Sequence, residues 1–259
     1  MRSLLGFTTL SSLLGFALAS CAAPMDLPDE SASGSVDNAA ADSSADAVNG
    51  EYAYFEIAAD LRKCATPMCG GWFVNRLNQA LTRCHDGQYA PTCYTPVLDW
   101  SKIKLSDGQK TELLDACNKD AVSEGVFAIV AGRLAPTNST TPNPTMGRFV
   151  INEAWVAVNE ALSGGAFVRV QDNGMRCFTA PCPSVTETTL NRTQVANIAE
   201  IDWKPGKFSE AQIGQCIDWM SSSDGLLIAG DRYTVPENGK IAIARTATAA
   251  YYQLINDVD

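Results

Sequence analysis

Short runs in which apolar and polar residues alternate fill most of the chain after residue 50. Residues 52–58 and 166–172 combine this alternation with aromatic and β-branched side chains, which predicts half-buried strands. A stretch ending in Asp-Trp in each half predicts a short third strand. The other predicted strands are residues 72–77, 126–132 and 148–158 in the first half, and residues 185–190, 226–230 and 240–254 in the second.

Two serines are placed to start helices. Ser106 precedes Gln109 by three residues, and Ser209 precedes Gln212 by the same interval. A serine followed three residues later by glutamine is the capping box of a helix N-terminus. We therefore predict one helix after each serine, between the third and fourth strands of each half.

The order of motifs along the chain predicts an internal repeat. In both halves a pair of cysteines four residues apart is followed by Leu-Asn, then Asp-Trp, then the capping box. The matching residues are Cys64, Cys69, Leu77, Asn78, Asp99 and Trp100 in the first half, and Cys177, Cys182, Leu190, Asn191, Asp202 and Trp203 in the second.

These elements predict an α+β fold. We expect two tandem β-β-β-α-β-β repeats with antiparallel sheets, each braced by disulfides. The expected domains are repeat 1 at residues 51–158 and repeat 2 at residues 159–259.

The first residues are typical of an export signal: Arg2 precedes an apolar stretch that ends in small residues. Leu18-Ala19-Ser20-Cys21 resembles the bacterial lipobox, which implies cleavage after a signal peptide at 1–20 and lipidation of Cys21. Ala22 stands where aspartate retains Gram-negative lipoproteins at the inner membrane. The resemblance therefore implies an exported protein that is lipid-anchored to the cell envelope, at the outer membrane.

Residues 22–50 contain six acidic residues and no lysine or arginine, and they lack aromatic residues. Such a composition cannot bury enough apolar area to offset the entropy of ordering, so we expect residues 21–50 to form a disordered acidic linker that begins at the lipidated cysteine. The net charge of the whole chain is -10, which disfavours nucleic acid as a partner.

Eight cysteines remain after Cys21, and an even number in an exported chain indicates disulfides. We expect Cys64–Cys69, Cys177–Cys182 and Cys84–Cys93 as local pairs. Cys117 and Cys216 remain, and they either form a disulfide between the repeats or stay as buried free thiols. Zinc binding by Cys64, Cys69, Cys84 and His85 is disfavoured because the second repeat keeps its cysteine pair without a histidine, so no metal site is predicted.

The sequence also offers little for catalysis. His85 is the only histidine and lies in a Cys-His-Asp-Gly turn. Nucleophile-elbow, phosphate-loop and metalloprotease motifs are absent from the sequence. We expect no enzyme activity, no catalytic residue and no cofactor, although a hydrolase that uses paired acids stays open.

Residues 62–78, with the sequence RKCATPMCGGWFVNRLN, resemble a tandem-repeat domain family of unknown function found in exported bacterial lipoproteins. Residues 175–185, with the sequence MRCFTAPCPSV, resemble a divergent copy that lacks the Gly-Gly after its second cysteine. The resemblance implies export and duplication, and it carries no catalytic residue to this chain.

Two functions compete on this basis. The first is a non-enzymatic envelope lipoprotein that binds or scaffolds an unknown protein or envelope partner and is held to the membrane by its N-terminal lipid. The second is a peptidase inhibitor, because a basic residue beside a disulfide-braced loop could enter a trypsin-like enzyme. Its candidate loop residues are Arg62, Lys63 and Arg176.

Overall fold

A computed structural model describes residues 52–255, except for 66–67, 124, 137–145 and 238. The predicted signal peptide, the lipidation site Cys21 and the linker at 21–50 lie outside the described residues. The elements of the first half are β1 (Ala53–Ala59), β2 (Trp72–Arg76), β3 (Thr82–Arg83), β4 (Tyr89–Ala90), β5 (Cys93–Thr95), β6 (Leu98–Asp99), α1 (Asp107–Asp120), β7 (Ala128–Ala135) and β8 (Arg148–Ala157).

The second half follows the same general order. Its elements are β9 (Ala166–Asp172), β10 (Val185–Thr189), β11 (Val195–Ile198), β12 (Ile201–Asp202), α2 (Glu210–Met220), β13 (Leu226–Gly230), β14 (Arg232–Glu237), β15 (Lys240–Thr246) and β16 (Ala249–Gln253). Both predicted capping boxes are confirmed: Ser106 and Ser209 are the N-caps, and each exchanges two hydrogen bonds with its glutamine.

The predicted α+β class, with a separate antiparallel sheet in each of two β-β-β-α-β-β repeats, is wrong. The protein is mostly β, and one sheet of eleven strands takes its strands from both halves. The sheet order is β11-β10-β9-β13-β16-β8-β7-β1-β2-β5, and β6 pairs in parallel with β8. Local sequence patterns locate strands but do not select their partners, and here the closing strands β8 and β16 pair with each other across the halves.

The sheet is organised around this central pair. On each side of β8 and β16 comes an antiparallel partner strand, β7 or β13, then the first strand of that half, β1 or β9, and then β2 or β10. The boundary predicted between residues 158 and 159 therefore falls in the connection between two strands of one sheet. The division into two repeat domains, and the repeat itself, stay predictions.

A smaller sheet departs from this plan in the second half. There β14 and β15 leave the main sheet and form a three-stranded sheet with β12. The segment 240–254, predicted as a single strand, is accordingly two strands, because it leaves one sheet at Thr246 and joins the other at Ala249.

Each helix covers a core of its own. Leu113, Ala116 and Cys117 of α1 pack with Phe55 and Phe149 in the first half. In the second half, Cys216 and Met220 of α2 pack with apolar residues of β9, β13 and β16. Burying a side chain of this size contributes about 1.5–3 kcal/mol, so each helix is fixed to its half mainly by its apolar face.

A third core lies on the other face of the sheet and belongs to both halves. It joins Leu77, Ile129 and Trp155 of the first half to Leu227 and Tyr251 of the second, with further apolar residues around them. Trp155 and Tyr251 are fully buried there. This shared core makes the two halves depend on each other for burial.

The asparagines of the two Leu-Asn motifs exchange hydrogen bonds between the halves. The Asn78 side chain accepts from the backbone N–H of Phe167 at 2.9 Å and donates to the carbonyl oxygens of Phe167 and Leu190 at 2.7 and 2.9 Å. Reciprocally, Asn191 accepts from the N–H of Tyr54 at 2.8 Å and donates to the carbonyls of Tyr54 and Leu77 at 2.7 and 2.9 Å.

Each carboxamide thereby completes the end of a strand pair in the opposite half. Asn78 and Asn191 have φ values of 57° and 59°. Asparagine tolerates this left-handed conformation better than most residues, because its short polar side chain can bond locally. We call these six hydrogen bonds the asparagine exchange.

The capping-box glutamines make a second exchange. The Gln109 side chain donates to the carbonyl of Ile255 at 2.7 Å, and that of Gln212 donates to the carbonyl of Val158 at 2.8 Å. Each glutamine therefore caps its own helix and also binds the chain just beyond the central strand of the other half.

Replacing Asn78 or Asn191 by alanine should lower the free energy of unfolding by about 1–3 kcal/mol each, because three backbone groups lose a partner in a half-buried site. Asn→Gly at the same positions should cost less than alanine, since glycine adopts the positive φ without strain. Urea unfolding followed by tryptophan fluorescence measures the difference.

Asn197→Ala is the matched control for these variants. Its side chain is exposed and bonds only Thr186 and Asn173, so its effect should stay within about 0.5 kcal/mol. An Asn78→Gly variant as stable as this control would show that the exchange contributes nothing.

Candidate functional site

The three predicted local disulfides are confirmed. Cys64–Cys69 and Cys177–Cys182 close the loops after β1 and β9, each with a Cα–Cα distance of 5.5 Å, and Cys84–Cys93 joins the residue after β3 to the start of β5 at 5.4 Å. Thr66 and Pro67, between Cys64 and Cys69 in sequence, lie outside the described residues. Three such bonds fit an extracellular or envelope protein.

The disulfide considered between Cys117 and Cys216 does not form, and the alternative, two buried free thiols, is confirmed. Cys117 points into the core under α1 and Cys216 into the separate core under α2, so the two side chains belong to different clusters. Burial raises the pKa of both thiols, that of Cys216 to about 12. They act as small apolar residues in these cores.

The arginines proposed for an inhibitor loop are held by the chain itself. Arg62 donates from Nε to Asp60 Oδ1 and from Nη2 to Asp60 Oδ2, both at 2.9 Å, and its guanidinium lies 5.1 Å from the centre of the Phe73 ring. Hydrogen bonding by Arg62 lowers the pKa of Asp60. Lys63, next to it, is exposed.

Arg176 is held in the same way in the second loop. It donates from Nη1 and Nη2 to the two carboxylate oxygens of Asp172, at 3.0 and 2.7 Å, and these bonds are the main reason that the pKa of Asp172 falls to about 2. Arg62 and Arg176 therefore brace the bases of the two loops.

His85 lies in the predicted turn, where Gly87 donates to the carbonyl of Cys84 at 2.9 Å. The histidine is half-buried and packs on Gly147, since a Cβ at this glycine would lie 2.5 Å from His85 Cγ. Within the described parts of residues 52–255, no group of three or more His, Cys, Asp and Glu side chains could hold a metal ion. No helix in that part of the chain is long and apolar enough to cross a bilayer.

A polar cluster lies beside the shared core. Arg169 donates to Glu153 Oε2 at 2.9 Å and to the Tyr54 hydroxyl, which donates to the same carboxylate at 2.9 Å. The indole N–H of Trp155 also donates to Glu153 at 3.1 Å, and Arg169 lies 5.3 Å from the Trp155 ring. Burial raises the pKa of Tyr54. This cluster ties β9 to β1 and β8, so its charges serve the packing of the sheet.

A buried ion cluster lies in the second half. Glu187 on β10 is fully buried and accepts hydrogen bonds from Arg245 on β15 and from Arg232 on β14. Arg245 also donates to the carbonyl of Gly230. A buried charge needs such partners, and these bonds join the small sheet to the main one.

A cleft of about 530 Å³ lies between α1 and the chain that leaves β8. One wall is a stripe along α1 that includes Glu112, Asp115 and Lys119, and the other is formed by residues 157–160. Phe127, Val156 and the α1 residue Ala116 contribute buried apolar surface at the base of the cleft. No sequence motif marks this site, and its two walls are distant in sequence, so the sequence alone does not predict it.

The cleft is joined to the second half through Glu112. The hydroxyl of Tyr252 on β16 donates to Glu112 Oε1, and the Tyr252 ring stacks on Trp219 of α2 with centroids 4.8 Å apart. Burial and this hydrogen bond raise the pKa of Tyr252. Glu112 is thereby fixed at the point where the two halves meet.

Asp120 ends α1 behind the cleft. Its buried carboxyl accepts hydrogen bonds from the backbone N–H groups of Phe127 and Ala128, the latter at 3.1 Å. Burial raises the pKa of Asp120 to about 8. The two hydrogen bonds lower it, but less than burial raises it, and the nearby carboxylate of Glu56 adds to the rise.

The free energy of unfolding should therefore fall as the pH rises from about 5 to about 8. The unfolded chain loses the Asp120 proton near pH 4, whereas the folded chain keeps it up to about pH 8. Stability linked to this proton is complete below the unfolded pKa and disappears as the pH passes the folded pKa, with a slope of at most about 1.4 kcal/mol per pH unit.

Urea unfolding at several pH values measures this slope, which Asp120→Asn should flatten. Asp107→Asn, at an exposed carboxylate of the same helix, should leave it unchanged. A parent profile that is flat over this range would contradict the protonation of Asp120.

Comparison with known proteins gives the family but no activity. No curated protein and no solved structure matches the chain. A model of a domain of unknown function (DUF6748) matches residues 53–257, nearly the whole described part of the chain. The expectation of a domain of unknown function is confirmed by this match. The protein belongs to the DUF6748 family.

Proposed function

We propose that the protein is a non-enzymatic lipoprotein of the bacterial outer membrane whose sheet domain binds a partner outside the membrane. The observation that carries this proposal is the presence of three disulfides in a chain whose first residues resemble an export signal and a lipobox. Disulfides persist in oxidising compartments, and a signal peptide would direct the chain to such a compartment.

The acidic linker supports the same proposal. A flexible chain of about thirty residues has a mean end-to-end distance of roughly 30 Å. It would hold the sheet domain close to the bilayer while leaving its surfaces accessible. The whole chain has a net charge of -10, of which residues 51–259 carry 18 Lys and Arg against 23 Asp and Glu; this acidic balance disfavours anionic lipid and nucleic acid as partners.

The charged side chains support binding in preference to catalysis. Asp60 and Asp172 brace the loops, Asp120 accepts backbone hydrogen bonds, and Glu187 holds two arginines. These carboxylates are thus committed to structure. A peptidase inhibitor is the weaker candidate, because Arg62 and Arg176 are both bound to aspartates of their own loops, which leaves exposed Lys63 as its remaining basic residue.

We also propose that the two halves derive from one duplicated unit. Their motifs occur in the same order in the sequence, and the asparagines and glutamines of those motifs make reciprocal bonds. The strand order of the main sheet is compatible with this origin.

Replacing Cys21 by alanine should release the protein from membranes without changing its stability, because the lipid would be attached outside the folded domain. Fractionation of cells that express the parent and the variant, followed by urea unfolding of both, measures the two effects. A Cys21→Ala variant that stays with the membrane fraction would contradict lipid anchoring.

Ala22→Asp tests the membrane assignment separately. It should move the protein from the outer to the inner membrane, as judged by density separation of the two. Ala22→Ser is the control and should leave the distribution unchanged. A parent protein already found at the inner membrane would overturn the outer-membrane assignment alone.

A further inference from the structure

The cleft beside α1 has walls of different chemistry from its floor. Buried Phe127, Val156 and Ala116 line the base of the cleft, whereas residues of α1 and of the segment after β8 carry the charges around it. A cleft with an apolar floor and a polar rim suits a ligand that has an apolar stem and a charged end.

The charges of the cleft are mostly negative. Glu112 and Asp115 on α1 and Glu160 on the opposite wall supply three carboxylates, and Lys119 supplies one ammonium. All four residues are exposed, so their charges reach an approaching molecule. The cleft is therefore complementary to a cation through its own local charges, in addition to the attraction exerted by the negative net charge of the chain.

Lys119 shows how a cation is accommodated at this position. Its Nζ lies 3.1 Å from Glu160 Oε1 and 5.9 Å from the centre of the Phe127 ring. A carboxylate and an aromatic face together are a common environment for an ammonium group. Both side chains of the ion pair are more than half exposed, at 54% and 84%, so the pair is weak and an external cation can replace Lys119 at little cost.

We propose that this cleft binds a lysine- or arginine-bearing segment of a partner protein. The aliphatic stem of the basic side chain would lie on Phe127 and Val156, and its charged end would meet Asp115 and Glu160. This inference rests on the proposed binding function and names the surface and the chemistry of the partner.

The second helix provides a natural comparison for α1. Counted from the N-caps Ser106 and Ser209, Asp115 corresponds to Asp218, but Glu112 and Lys119 correspond to the uncharged Gln215 and Ser222. The basic segment should therefore bind at α1 and not at the matching face of α2. Asp218→Asn is accordingly a control with the same change of charge.

The test uses the full chain with Cys21→Ala, so that binding is measured without the lipid and its failure is distinct from failure of anchoring. The probe is a fluorescein-labelled Lys-Leu-Lys-Leu-Lys peptide amide, followed by fluorescence anisotropy. It should bind with a Kd below about 1 mM, and the affinity should fall between about 0.05 and 0.5 M salt. A labelled Glu-Leu-Glu-Leu-Glu peptide should not bind.

Variants of the cleft should change the affinity in opposite directions. Asp115→Asn and Glu160→Gln should each weaken binding about two- to fivefold, and Lys119→Ala should strengthen it by a similar factor, since exposed ion pairs are of this magnitude. Asp218→Asn should leave it unchanged. Glu160 lies outside α1, so Glu160→Gln keeps the test decisive if a helix variant unfolds.

Three results would overturn the proposal. One is the absence of binding by the parent chain at low salt. Another is an equal loss of affinity in Asp218→Asn and Asp115→Asn, which would indicate a general effect of charge. The third is competition by spermidine at the same molar concentration as the unlabelled peptide, which would indicate a free cation site and not a docking site for a protein segment.

Discussion

The asparagine exchange is the contact on which the shape of this protein depends. Adjacent strands of a sheet typically rotate by about 20–25°, which over five pairings amounts to roughly 100–125°, and five pairings separate β1 from β9. Such rotation lets the first residues of β1 and β9 approach the loops of the opposite half. Asn78 and Asn191 form hydrogen bonds with these first residues of β9 and β1, and the shared core fills the space on that face of the sheet.

Hydrogen bonding and burial reinforce each other at this position. The backbone groups of Tyr54 and Phe167 lie beside the shared core, where an unpaired polar group would cost about 1–3 kcal/mol. The carboxamides satisfy these groups, and the apolar residues of the shared core then pack without water. The two halves consequently fold as one sheet although their sequences can be read as two units.

The sequence predicts much of the local structure but little of how the strands of the two halves pair. The capping boxes at Ser106 and Ser209, the strand at 166–172 and the three short-range disulfides follow from residues close together in sequence. The pairing of β8 with β16 does not, because both are apolar strands whose neighbours are chosen by the whole core. The Leu-Asn motif was visible as a repeated pattern, but its reciprocal bonds require the sheet to be known. The same limit applies to the cleft, whose walls come from α1 and from the end of β8.

The two halves differ in where they carry charged side chains. Val74 and Phe149 lie in the apolar core of the first half, and Glu187 and Arg245 form a buried ion pair in the second, where β15 leaves the main sheet. This charged cluster is committed to joining two sheets, so it is unavailable to a ligand. On the helices the charges lie in the first half instead: α1 carries Glu112 and Lys119, whereas α2 carries uncharged residues at the corresponding positions. Because Tyr252 of the second half fixes Glu112, the charged cleft requires both halves, and a contact that joins the halves also shapes the surface proposed to bind a partner.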